Sequence, residues 1–165
     1  MRAQVLRDFT KEYPVIVQGR GAFLYDRAGR EYLDAVGGIA VVNVGHGVPE
    51  IIAAMREQAE SVAFVHGGSF ANEAAMALSE ELATWAPAGL GHVLLLSGGS
   101  EATETAMKLA HQYHRERGKE GKYRIVSRWI SYHGNTIGAL SMSGRTAWRR
   151  EFTPYLQNFP KIHPP

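Results

Sequence analysis

An apolar run, Leu94-Leu95-Leu96, is followed by Ser97-Gly98-Gly99-Ser100-Glu101 and then by a helical pattern. In that order a backbone builds an anion site. Two glycines let the chain turn tightly and come close to a ligand, while the free N–H groups and positive dipole end of the next helix favour a phosphate. A plain strand-to-helix turn with Ser100 as N-cap accounts for the same residues equally well. Glu101 and Glu104 suit the first turn of a helix, and Glu101 must point away from any anion held there. A nucleotide P-loop is excluded, because no Lys-Ser or Lys-Thr pair follows the second glycine.

Tyr132-His133-Gly134-Asn135-Thr136 is the second candidate. An aromatic next to a glycine in a loop can offer a flat ring to a flat ligand, the glycine leaving room; simple packing is the alternative role for that ring. His133 has no identifiable carboxylate partner and reads as a structural hydrogen-bonder rather than a general base. His111 and His114 stand at i, i+3, without the cysteines or Glu-x-x-His spacing that a metal would want, and read as an exposed face.

The elements that must position these residues follow from turn and period signals. Val15 to Gly19, Ala22 to Asp26 and Glu31 to Asp34 read as short strands of an antiparallel ribbon, with Asp26-Arg27-Ala28-Gly29-Arg30 as hairpin chemistry. The glycine-spaced segment Gly37 to Gly47 reads as a tight buried crossing. Pro49 opens a helix whose Ile52, Met55, Ala59 and Val62 share one face, and Asn72 caps a second helix ending near Trp85. Strand Val93 to Leu96, a helix from Ser100 to about Arg117, and strand Tyr123 to Ser127 then predict a parallel β-α-β unit, whose ligands gather at the carboxyl ends of its strands. The proline-rich tail from Phe159 offers no closing element.

At 165 residues, 45% of them hydrophobic and 21% charged, the chain is long enough for one domain with a real core and its composition argues against disorder. Its formal charge of +2 is small, and mixed runs such as Arg115 to Lys122 read as solvated surface, so nucleic acid is not an expected partner. Without cysteine there is neither a disulfide framework nor a thiolate metal site. No signal peptide and no run near the roughly 20 apolar residues of a membrane helix is present, so the expected location is cytoplasmic.

Four segments in register resemble the class III aminotransferases that depend on pyridoxal 5'-phosphate. They are Gly19 to Asp26 with Gly29 and Tyr32-Leu33-Asp34, then Gly45 to Glu50, Ser97 to Ala102, and Tyr132 to Thr136. The resemblance implies an α/β fold, fold type I of the pyridoxal-phosphate enzymes, here incomplete: residues 1–65 would be the N-terminal segment of the small domain with a linking helix, and 66–165 part of the large cofactor-binding domain. It implies a homodimer, an amino donor and a keto acid acceptor as substrates, and binding of the cofactor phosphate by Gly99 and Ser100. Tyr132 would stack on the pyridine ring; His133 belongs to the cofactor-binding set by the same match, and neither it nor Glu104 is assigned a chemical step.

Two departures qualify the match. The family's cofactor-holding lysine and the aspartate beside the pyridinium nitrogen lie downstream, and none of Lys11, Lys108, Lys119, Lys122 or Lys161 matches that lysine. The chain therefore reads as the N-terminal part of a longer enzyme, inactive by itself, with an aminomutase or decarboxylase of the same fold, or a non-catalytic product, as the alternatives. Asn135 stands where some relatives place a carboxylate-clamping arginine, which favours an amine or ω-amino acid donor with pyruvate or a similar acceptor.

Overall fold

The computed structural model describes residues 7–164. The chain separates into two compact units, one up to Ala71 and one from Asn72. In the first, β1 (Ile16–Arg20), β2 (Phe23–Asp26) and β3 (Glu31–Leu33) form an antiparallel sheet in chain order. Asp26 closes the β2–β3 turn. Its Oδ1 accepts from the Ala28 and Arg30 N–H groups, both at 2.9 Å, and its Oδ2 accepts from Arg30 Nε and the Tyr32 hydroxyl, both at 2.8 Å.

Burial pushes the Asp26 carboxyl up, but the Arg30 N–H, the Tyr32 hydroxyl and the Arg30 guanidinium outweigh it and bring the pKa from 3.8 down to about 2. A depressed carboxylate contributes stability that is complete above its unfolded pKa and is lost as pH falls through the folded one. The hairpin is therefore expected to weaken between about pH 4 and pH 2, and Asp26→Asn should flatten that part of the profile while lowering stability at neutral pH. Denaturant unfolding across acid pH checks this; an unchanged acid limb in the variant contradicts it.

The segment after β3 differs from the expected buried crossing. Gly37–Ala40 (α1) is a single helical turn with φ of 52°, 60°, 64° and 60°, a left-handed run that includes the non-glycine residues Ile39 and Ala40. Each Cβ in that region costs about 1–2 kcal/mol. Asp34 holds the turn: Oδ1 accepts from the Gly38 N–H at 3.0 Å, and Oδ2 lies 2.9 Å from His46 Nε2. Paired backbone bonds between Gly21 and His46 fix the far end. Ile39 is 81% exposed, so the segment is surface and not interior. The following helix, α2 (Pro49–Ser61), starts on its proline as expected, and its Ile52 and Met55 are exposed too.

The second unit begins with α3 (Glu73–Trp85), capped by Asn72, whose Oδ1 accepts from the Ala75 N–H at 3.1 Å. Helix α4 (Gly99–Glu116) follows with Gly98 as its N-cap, so Ser100 is the second helical residue and the alternative reading of it as the N-cap does not hold. Val93 to Leu96 has no ladder partner among the described residues and is not a strand. The other expected strand shrinks to β4 (Ser127–Arg128), which pairs in parallel with β5 (Lys161–Ile162). The proline-rich tail thus contributes one short strand beside β4. Between them lie α5 (Ile137–Met142), α6 (Thr146–Arg149) and a 3₁₀ helix (Arg150–Tyr155).

The buried core is smaller than chain length alone suggests, and it surrounds α5. Ala139, Leu140, Met142 and Phe159 are its apolar members, with Ser141 and Ser143 fully buried beside them. Lys161 Nζ donates to the Ser141 carbonyl at 2.8 Å, placing a cation at the carbonyl end of the helix. Leu94, Leu95 and Leu96 stay exposed because no described residue covers them. His114, expected on an exposed face, is half-buried and leaves Nδ1 without a partner; desolvation and the nearby Lys122, Lys119 and Arg117 push its pKa down.

Candidate functional site

Helix α4 starts from extended Gly98, and its first intrahelical bond runs from the Ala102 N–H to the Gly98 carbonyl. The amides of Gly99, Ser100 and Glu101 have no helical acceptor. At 18 residues, with His114 and Arg115 in its last turn, the helix has a full dipole behind those amides. Glu101 does not line the cleft in front of them; its carboxylate folds back beside Gly98.

The Tyr132 loop is stitched to α4 by two side chains one turn apart on the same helix face. Ser100 Oγ accepts from the Asn135 N–H at 2.8 Å, and Glu104 Oε1 accepts from the Gly138 N–H at 3.0 Å. The nearby Thr136 hydroxyl, with the Gly138 and Ala139 amides, holds Glu104 below the ordinary carboxylate range against the burial that raises it. Glu104 is therefore ionised at neutral pH, and its role is to fix the loop.

Ser143, fully buried at the end of α5, secures the other side of the loop. Its hydroxyl oxygen accepts from the His133 N–H at 3.0 Å and its proton goes to the Ala139 carbonyl at 3.0 Å. Gly134 passes directly over Ser100. A Cβ there would lie 2.5 Å from Ser100 Oγ, 2.9 Å from Ser100 Cα and 2.8 Å from the Ala139 Cβ, at a φ of 137°. Only glycine fits so close an approach.

The result is a cleft of about 430 Å³ lined by Gly99, Ser100, Thr103, Tyr132, His133 and Gly134. All four sequence-predicted site residues meet there. Gly134 is the loop glycine that leaves room beside Tyr132, and Thr103 is the addition: it follows Gly99 by one helical turn, a spacing available in the sequence, but its hydroxyl is spent on the Gly99 carbonyl at 2.9 Å. Ser143 was also missed, and no local pattern marks it. A larger recess of about 590 Å³ lies in the first unit, but Asp34 and His46 in its lining already pair with each other.

The cleft has an anion pole and an aromatic wall, with no acidic side chain between them among the described residues. Because the Asn135 amide occupies a lone pair of Ser100 Oγ, the hydroxyl proton is left to be donated outward. A flat phosphorylated ligand matches this set of donors.

Comparison with known proteins narrows the class. A sequence model of the family described as Aminotransferase class-III matches residues 7–165. The chain is 39% identical over 158 residues to the uncharacterized aminotransferase YodT of Bacillus subtilis, covering 96% of this chain and 36% of that protein. It is 37% identical over 145 residues to the acetylornithine aminotransferase of Aquifex aeolicus, covering 87% and 37%. A thermostable (S)-enantioselective omega-transaminase from Thermomicrobium roseum superposes with a TM-score of 0.92 at 35% identity, over 99% of this chain and 38% of that one. The fold is that of the transaminases, present in part. The chain belongs to the class III aminotransferase family, and it spans about a third of the length of the relatives it matches.

Proposed function

We propose that this chain supplies the phosphate-binding and ring-stacking part of a pyridoxal-phosphate aminotransferase, its second unit belonging to the large cofactor domain and its first to the small one. The observation that carries the reading is the convergence of the α4 amides, the outward-donating Ser100 hydroxyl and the Tyr132 ring on one cleft. Gly99 and Ser100 hold the phosphate through their N–H groups, and Ser100 adds its hydroxyl. Tyr132 covers a face of the pyridine ring, and His133 lines the same wall. Pyridoxal phosphate supplies an electron sink for the bond changes at the amino carbon. Glu104 and Ser143 keep the loop in register with the helix.

The whole enzyme would act as a homodimer, taking an amine or ω-amino acid as donor and a keto acid such as pyruvate as acceptor. Asn135 supports that donor class, since it offers no cation to a second carboxylate. Assayed with pyruvate, the complete enzyme should turn over a simple amine faster than acetylornithine, and the opposite order overturns the donor assignment. For the cofactor, Ser100→Ala in the complete enzyme should weaken pyridoxal phosphate binding by about 1–2 kcal/mol, roughly tenfold, through loss of a charge-assisted hydrogen bond. Unchanged affinity, measured by titration of the apoenzyme, counts against the phosphate site.

A further inference from the structure

The Tyr132 side chain is 58% exposed, and among the described residues its ring pairs with one other, that of Trp148. The two centroids lie 5.3 Å apart with the planes at 90°. Trp148 sits in α6, and the Arg145 guanidinium carbon lies 4.6 Å from its ring centroid. The backbone brings these residues together: the Gly144 N–H donates to the carbonyl of Ser131, immediately before Tyr132, at 3.0 Å.

An edge-to-face pair has a preferred angle, because the positive rim of one ring meets the negative face of the other. A cation over the tryptophan restrains that ring in turn. Trp148 is itself 46% exposed, so its contacts with Tyr132 and Arg145 orient it where a surrounding core does not. We infer that Trp148, restrained by Arg145, is a positioning residue that sets the plane of the Tyr132 ring against the cofactor. The inference rests on the reading of Tyr132 as the ring platform.

The test uses the complete enzyme with pyridoxal phosphate as the probe, measuring its affinity and the circular dichroism of its bound absorption band. Trp148→Ala and the bulk-retaining Trp148→Leu should each lose about 3- to 10-fold in affinity, the worth of one aromatic pair, and should alter the dichroism. Trp148→Phe keeps an aromatic edge and should restore both. In a Tyr132→Ala background the further loss from Trp148→Leu should vanish. A purely structural tryptophan would lower the unfolding midpoint while leaving the cofactor band unchanged, and wild-type affinity and dichroism in Trp148→Leu would overturn the inference. An equal loss with and without Tyr132 would also overturn it. The reading of Tyr132 fails separately, if Tyr132→Ala alone leaves pyridoxal phosphate affinity unchanged.

Discussion

Gly134→Ala in the complete enzyme is expected to cost about 3 kcal/mol of folding free energy and to remove most of its affinity for pyridoxal phosphate. The added methyl meets three atoms within 3 Å, Ser100 Oγ and Cα and the Ala139 Cβ, and one of them is backbone at the start of α4. Relief requires the loop to lift from the helix, which breaks the Asn135 to Ser100 bond and moves Tyr132 away from the anion pole. Trimming the partner does not repair the fit. In Gly134→Ala combined with Ser100→Gly the Oγ collision disappears, but those with Ser100 Cα and Ala139 persist. Denaturant unfolding and cofactor titration of the single and double variants check this; a single variant with wild-type stability and affinity contradicts the close approach.

Ser143→Ala is expected to cost about 2 kcal/mol, the penalty of leaving a buried amide unsatisfied. Ser143 is 0% exposed, so water does not replace its hydroxyl where the His133 N–H loses its acceptor. The methyl of alanine fills the Cβ position without strain, which confines the effect to the hydrogen bonds. Hydrogen exchange gives a local readout: the His133 amide should exchange faster in the variant, while the Asn135 amide, held by Ser100, changes less. Equal protection at His133 in both proteins would show that the Ser143 bond contributes nothing.

The parts of this fold that could be read from sequence are those set within a few residues. Asp26 and its turn, Pro49 at a helix start and Asn72 as a cap each act on neighbours, and each is where local chemistry puts it. The site residues were legible as two separate motifs. What joins them was not: Ser100 and Glu104 receive backbone amides 35 and 34 residues away, and a backbone N–H has no residue type to announce it. The left-handed turn at Ile39 and Ala40 runs against local preference, since a β-branched residue disfavours positive φ. Leu94 to Leu96 misled in the other direction. An apolar run reads as a buried strand, but a strand also needs a ladder, and none forms among the described residues.

The parallel pairing of β4 with β5 has a temporal side. The Ser127 N–H waits for the Pro160 carbonyl, the Trp129 N–H waits for that of Ile162, and the Ser141 carbonyl waits for the Lys161 ammonium. Helix α4 needs nothing beyond its own residues to form its ladder. On a ribosome, where a chain emerges from its N-terminus, the anion pole is consequently complete before the aromatic wall has a fixed place. The loop bearing Tyr132 docks on α4 once Asn135, Gly138 and Ser143 have emerged, ahead of the β4–β5 pairing, and so the two halves of one cleft are born at different times.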